Sequence, residues 1–309
     1  RVVLLEREPH PGYHTTGRSV AIYTETLPGA QIGALTRASR AFFENPPQGF
    51  SDQPVIRRRP VLSFGRGDQR AALQAEYDLI SSGAGRRWLD GAEIQAAVPI
   101  LRPEQAELGV LDSDAFDMDV DALHQGWLRK LRRHGGQVLT EAPLEAAERM
   151  GDLWRLKAGG HEIEAGVVID AAGAWGDEVA AICGAKPLGL QPRRRTVAVL
   201  SAEGVSMDGW PMCIEAEHSL YFKADAGRLL VSAMDQTPSE PCDAWADDMD
   251  VAEALDRFAA VASLPVRKPL RTWAGLRTFT PDEEPAAGFD ADRPGFFWLV
   301  GQGGAGIQT

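Results

Sequence analysis

Apolar residues recur along this chain in two rhythms. Unbroken or alternating short runs predict strands, and longer stretches with apolar residues three and four apart predict helices. Val2, Val3, Leu4 and Leu5 form an unbroken run closed by Glu6, the pattern of a strand buried on both faces of a parallel sheet. Val167, Val168 and Ile169 form a second run, leading through Asp170, Ala171, Ala172, Gly173, Ala174 and Trp175 into a helix. A third, over residues 295–300, empties into Gly301, Gln302, Gly303, Gly304, Ala305 and Gly306. Helical spacing predicts helices over residues 31–43, 69–81, 89–98, 120–134 and 250–261, with Pro99 ending the third and Gly135-Gly136 the fourth. Residues 55–64, 137–140, 144–148 and 154–157 predict strands, and residues 196–200, 219–223 and 228–233 predict an antiparallel sheet.

Composition narrows what these elements can serve. With 309 residues, 44% of them hydrophobic, the chain can bury a sizeable core, and its length suits two structural units. Forty-four acidic residues against thirty-two basic ones give a net charge of −12, which repels a phosphate backbone and argues against nucleic acid as a partner. Cys183, Cys213 and Cys242 form no CxxC pair, so no disulfide framework or metal cluster is expected, and a reducing cytoplasm fits best. No apolar run reaches the roughly 18 to 20 residues that a transmembrane helix needs. A chain that opens inside a strand and stops where a loop enters a helix reads as trimmed at both ends.

Several places carry candidate chemistry. A strand followed by Glu6 and a loop rich in Gly, Thr and Pro has the form of the second half of a dinucleotide-binding unit, in which an acidic side chain accepts from ribose hydroxyls; a solvated strand end looks the same. Four glycines in six residues after the 295–300 strand are costly to order unless the backbone approaches something closely, such as a flat cofactor edge, or simply makes a tight turn. Arg277, flanked by Trp273 and Leu276, offers a planar guanidinium that can grip a carboxylate through two parallel hydrogen bonds. Tyr221 offers a hydroxyl to the same carboxylate or is an ordinary sheet residue. His14 and Arg18 share a loop where a cation would favour a reduced anionic flavin or bind phosphate. The runs Arg57-Arg58-Arg59 and Arg193-Arg194-Arg195 read first as solvated faces, with attraction of an acidic substrate as the alternative.

Four segments in order resemble the D-amino acid oxidase superfamily of flavoproteins: Val2 to Glu6, His14-Thr15-Thr16-Gly17-Arg18-Ser19, Val167 to Trp175, and Trp273-Ala274-Gly275-Leu276-Arg277 with its continuation to Ile307. The resemblance implies an α/β fold in which a Rossmann-like FAD-binding domain (residues 1–51, 115–188 and 281–309) joins an α+β substrate domain on a mixed, mostly antiparallel sheet (residues 52–114 and 189–280). It assigns Glu6 to the adenosine ribose, and Thr15, Thr16, Gly17, Arg18 and Ser19 to the pyrophosphate and flavin side. It places Leu144 at the adenine, Ala172 and Gly173 where the sheet nears the cofactor, and Gly303, Gly304, Ala305, Gly306 and Ile307 at the flavin's pyrimidine edge. Arg277 matches the arginine that pairs with the substrate carboxylate. The implied activity is FAD-dependent oxidation of a small carboxylate-bearing amine or amino acid; a 2-hydroxy acid substrate, or a non-enzymatic assembly factor on the same fold, are the alternatives. No cysteine follows Cys242, so the FAD is expected to be noncovalent. Residues 228–232 lack the lysine that some members use with oxygen, which leaves the electron acceptor open.

Overall fold

The computed structural model describes residues 1–27, 29–79, 85–266 and 268–309 of the chain, so the end at Ser81 expected for the second helix lies outside the described residues. Its largest element is a sheet of ten strands. In spatial order these are Gln302–Gly303, Arg271–Phe279, Gln191–Ser201, Arg228–Ser232, Tyr221–Asp225, Met212–Glu215, Val61–Gly65, Leu108–Asp112 and Arg86–Asp90, with Thr237–Pro238 pairing off the path against Gln191–Ser201. Every pairing is antiparallel except Met212–Glu215 with Val61–Gly65, which makes the sheet mixed, as the resemblance implies.

Strand alternation gives this sheet two unlike faces. On one, Leu200, Phe222, Ala224, Leu229 and Val231 form a core with Phe258 of the helix Asp248–Val261, whose ring meets Phe222 edge-on at 5.4 Å. Asp247 starts that helix by accepting from the Met249 amide at 2.9 Å. Arg194 and Thr196 point the same way and share Asp250 of the helix, at 3.0 and 3.3 Å. The opposite face carries the residues one position out of step: Arg193, Arg195, Val197, Tyr221, Lys223, Ser232, Trp273 and Arg277. The register confirms this alignment, with Arg193 opposite Arg277, Arg195 opposite Gly275, and Tyr221 opposite Ser232.

Outside the large sheet, parallel pairing occurs in two smaller sheets among the described residues. Val3–Leu5 pairs with Gln137–Leu139, and Val168–Asp170 pairs with Phe296–Val300, which continues to Ala286–Phe289. The helix Val120–Arg133 feeds the first pair. Asp119 caps its start, basic residues close its last turn, and Gly135 turns the chain at φ +73°.

Several expectations need correction. Residues 89–98 are not one helix: Leu89 and Asp90 end the strand Arg86–Asp90, and Asp90 then caps the helix Gly91–Ala97 through a reciprocal pair of bonds with Glu93. Residues 55–64 are two strands in different sheets, Ile56–Arg58 and Val61–Gly65, separated at Pro60, which lacks an amide hydrogen to donate. The hairpin at 144–157 has a third strand, His161–Ala165, whose charged alternation gave no apolar signal. Val3–Leu5 is half-buried rather than buried on both faces, and Ile169 is 58% exposed.

Candidate functional site

Arg277 sits one turn of backbone pleat from Gly275 on the strand Arg271–Phe279, aimed at the polar face of the large sheet. Its Nη1 has no contact with solvent and no hydrogen-bond partner among the described residues. A Cβ added at Gly304 would lie 2.5 Å from both its Nε and its Nη2, so the guanidinium rests directly on the glycine backbone. The Phe279 ring lies 5.2 Å from Cζ. Burial first, and the Arg195 guanidinium second, bring the Arg277 pKa down to about 10, so it still carries its charge at neutral pH. A desolvated cation with an unshared N–H is expensive unless an anion completes it.

Tyr221 is buried on the same face. Burial pushes its hydroxyl pKa up, against the opposing pull of Arg195, Ser232 and Arg277, which places both guanidiniums within electrostatic reach of the phenol. Lys223, two positions on, is also buried, and its Nζ donates to the Val20 carbonyl at 2.7 Å and to Asp117 at 2.9 Å. Sequence reasoning passed over Lys223, and it named Arg195 only within a run read first as a solvated face, with attraction of an acidic substrate as the alternative. The signal for both was the strand period of two, which puts 193, 195, 221, 223 and 277 on one face once the strands are paired.

The loop of residues 12–19 ties this face to the parallel elements. Thr15 donates to the Leu276 carbonyl at 2.8 Å. His14 meets Glu8 at 2.9 Å and the Trp175 ring at 4.6 Å, and Arg7 covers that ring at 4.7 Å. Gly17 donates to Gly12 O at 2.8 Å, and a Cβ at Gly17 would lie 2.4 Å from that oxygen, which fixes glycine there. The seam between this loop, Trp175 and Leu276 encloses only about 10 Å³, too little for anything beyond a single water.

Arg18 departs from expectation. Its guanidinium donates to the Ala244 carbonyl at 2.7 Å and the Ala274 carbonyl at 3.1 Å and pairs with Asp243, so it fastens two loops and has no arm left for a phosphate. Neither arginine run is a solvated face throughout. Arg59 pairs with Asp117 at 2.5 Å, and Arg193, Arg194 and Arg195 are all mostly withdrawn from water, alternating between the two faces of the sheet.

The remaining candidates lie on the elements predicted for them. Glu6 ends its strand, with Oε1 accepting from the Glu8 amide at 3.0 Å. Leu144 begins the strand Leu144–Met150 and is half-buried. Ala172 and Gly173 turn the chain after Asp170, and Gly173, at φ +57°, has open space where a side chain would stand. Gly303, at φ +55°, presses against the Phe279 ring, while Gly304 and Gly306 are exposed. Ala305 is buried, and Ile307 packs toward Tyr23 and Phe43. Thr16 is half-buried in the short turn Thr16–Arg18, and Ser19 accepts from the Ala21 amide at 3.1 Å.

A family model described as FAD dependent oxidoreductase, the DAO family, matches residues 1–309. This chain belongs to that family. Among curated relatives, the hydrogen cyanide synthase subunit HcnC of Pseudomonas aeruginosa is 26% identical over 238 residues, which cover 72% of this chain and 53% of that protein. The chain therefore spans about half the length of that relative. Glycine oxidase from Geobacillus kaustophilus superposes with a TM-score of 0.86 at 18% identity, over 100% of this chain and 84% of that one. L-α-glycerophosphate oxidase from Mycoplasma pneumoniae, solved with FAD bound, gives 0.86 at 14%, over 100% and 85%. At such identities the two structures speak for the fold alone. The family's cofactor is FAD, and the mixed α/β architecture is the one its members share.

Among the described residues, no helix is long and apolar enough to cross a membrane.

Proposed function

We propose that this chain oxidises a small amine or amino acid that carries a carboxylate, and that Arg277 holds that carboxylate. The observation carrying this reading is the Nη1 of Arg277, buried and without a partner, on a guanidinium laid against Gly304. A planar carboxylate fits such a fork through two parallel hydrogen bonds, and the low local dielectric strengthens them. Tyr221, on the same face, supplies a hydroxyl and a ring wall to the same group. The chain's own part is binding, orientation and exclusion of water, because fixing the substrate α-carbon is most of what the reaction asks of the protein.

The residues present fit FAD in three respects. Glycine backbone stands open at Gly173 and is exposed at Gly304 and Gly306, the Glu6 carboxylate follows a strand with Oε2 making no hydrogen bond among the described residues, and the 12–19 loop joins both regions. In this assignment Glu6 takes the ribose and Leu144 lies at the adenine. Ala172, Gly173 and the backbone of Thr15 to Ser19 line the middle, and Gly303 to Ile307 meet the flavin edge. When bound, the flavin would take a hydride at N5 from the substrate α-carbon. Residues 1–51, 115–188 and 281–309 then make the cofactor unit and residues 52–114 and 189–280 the substrate unit. The parallel pairings within the former and the large antiparallel surface within the latter support that division.

Replacing Arg277 with alanine in the full-length flavoprotein should leave the bound-flavin absorbance intact. It should lower kcat/KM for carboxylate-bearing amines by about 10²- to 10³-fold, the scale of removing one partner of a desolvated charge pair. Unchanged kcat/KM would sink the assignment. The same dye-reduction assay, run with paired amino and 2-hydroxy acids, separates the amine reading from the hydroxy acid one. Silence toward both classes would identify a chain that keeps the fold without turnover.

A further inference from the structure

Arg277 is not the only cation on its face of the sheet. Arg193 lies directly opposite it and Arg195 one pair further on, opposite Gly275, whose missing side chain leaves room for the stem of Arg18, with Cβ 3.3 Å from where a Gly275 Cβ would stand. Diagonal neighbours across antiparallel strands have Cβ atoms about 7–8 Å apart or less, within reach of long side chains.

The three arginines differ in how they are satisfied. Arg193 is spent: it pairs with Glu283 at 2.8 Å and stacks on the Phe279 ring at 4.6 Å. Arg277 is unpaired. Arg195 lies between these cases. Its Nε donates to the Asp235 carbonyl at 2.8 Å and its Nη2 to the Met234 carbonyl at 3.2 Å, which hold the side chain in place without neutralising it. Its nearest carboxylate oxygen, on Asp235, stands 4.0 Å from Nε, and both oxygens of that carboxylate accept from the Thr196 amide. Nη1 makes no hydrogen bond among the described residues and is not sealed from solvent, on a side chain that is only 14% exposed. The guanidinium is thus anchored through Nε and Nη2, with Nη1 uncommitted among the described residues.

Charge on this face points the same way. Arg59, Arg193, Arg195, Lys223 and Arg277 supply five positive charges, and Asp117, Glu283 and Asp235 supply three negative ones, an excess of two among these eight groups. A substrate with one carboxylate and a neutral amine compensates half of that excess, and a second anionic group compensates the rest.

We propose that the substrate carries two carboxylates, and that Arg195 binds the second while Arg277 binds the first. The proposal rests on the reading of Arg277 given above. It assigns the substrate class as an amine flanked or followed by two acidic groups, such as N-(carboxymethyl)glycine or an acidic amino acid, rather than glycine, N-methylglycine or alanine. Arg195 selects among substrates and takes no part in breaking the C–H bond.

The test uses the full-length flavoprotein and follows dye reduction and anaerobic flavin bleaching with matched pairs. These are N-(carboxymethyl)glycine against N-methylglycine, and aspartate and glutamate against alanine, each in both configurations. The expected result is that at least one dicarboxylate exceeds its monocarboxylate partner in kcat/KM by a factor of 10² or so, about 2.7 kcal/mol. In Arg195→Gln, which keeps a polar side chain, shorter than arginine, and removes its charge, that ratio should fall close to one, and Arg195→Lys should restore part of it. A binding measurement on the unsubstituted protein keeps the proposal testable if the variants fail to fold: succinate should compete with substrate at least tenfold more tightly than propionate. Monocarboxylates turned over as well as dicarboxylates, or a ratio unmoved by Arg195→Gln, would overturn this proposal and leave the Arg277 reading standing. If no carboxylate-bearing amine of either kind bleaches the flavin, both fall together.

Discussion

Gly304 owes its missing side chain to Arg277. Any Cβ there would sit 2.5 Å from Nε and Nη2, and the neighbour that must yield is the guanidinium rather than backbone. Gly304→Ala should therefore fold with little loss of stability, because a flexible side chain can swing aside. The displaced fork would no longer meet its carboxylate squarely, and a misplacement on the order of 1 Å can cost about 10²-fold in rate. The expected outcome is a rise in KM for carboxylate substrates with Tm within a few degrees of the parent protein, read by steady-state kinetics beside thermal denaturation. An equal loss with amines that have no carboxylate would show that the glycine serves the cofactor edge instead. Gly303 is a contrasting case: an added Cβ would fall 2.4 Å from the Phe279 ring, and the backbone there is at φ +55°, so substitution strains both packing and backbone.

Among the elements, the loop of residues 12–19 is the one on which the others converge, and Arg18 is its fastening. Arg18→Met should cost about 2–3 kcal/mol in denaturant unfolding, since it strands the Ala244 and Ala274 carbonyls, whereas Asp243→Asn should cost under about 1 kcal/mol because that carboxylate is substantially exposed. Equal costs for the two would mean that the ion pair, not the carbonyl bonds, holds the loops. This element also shows where sequence reading runs out. Its Thr, Gly and Ser content announced a loop, and the glycines after Val300 announced a close approach, because such signals are local. That Arg18 would be held by Asp243 and the Ala244 and Ala274 carbonyls was not legible, since those partners lie more than 220 residues along the chain. Apolar spacing likewise found the helices Val120–Arg133 and Asp248–Val261 to within two residues, and it placed Tyr221 on a strand, but it did not find the strand Arg271–Phe279 that carries Arg277. It could not single out Arg195 from its run, because an arginine run reads first as surface until register shows which members face inward, and it merged strand Arg86–Asp90 with a helix because a capping aspartate belongs to both.

At the scale of the whole molecule, buried carboxyls set how stability follows pH. Burial raises the pKa of Glu76, Asp112, Asp170 and Asp235, and for Asp170, whose Oδ2 has no partner, it does so from 3.8 to about 7. A folded-state pKa above the unfolded one means that the folded protein holds its proton more tightly. The stabilisation is complete below about pH 4 and is lost as pH rises through 7. For Asp170 the ceiling is about 4 kcal/mol, and the bond from the Ala172 amide to Oδ1 at 3.0 Å already offsets part of the burial penalty. The net charge of −12 pushes in the same direction, through self-repulsion that grows as carboxyls ionise. Opposing both is Asp243, whose pKa Arg18 holds down, so that its contribution is present above about pH 4 and fades in acid; its exposure keeps that contribution small. Unfolding followed by denaturant at pH 5 and pH 8 should thus show the protein weaker at pH 8. Asp170→Asn separates the local effect from the global one, because it removes the titration while leaving an amide oxygen for Ala172. The variant should lose little at pH 5 and gain at pH 8, flattening the profile by one to a few kcal/mol. A profile as steep as the parent's would show that surface repulsion, and not the buried strand end at Asp170, governs the decline.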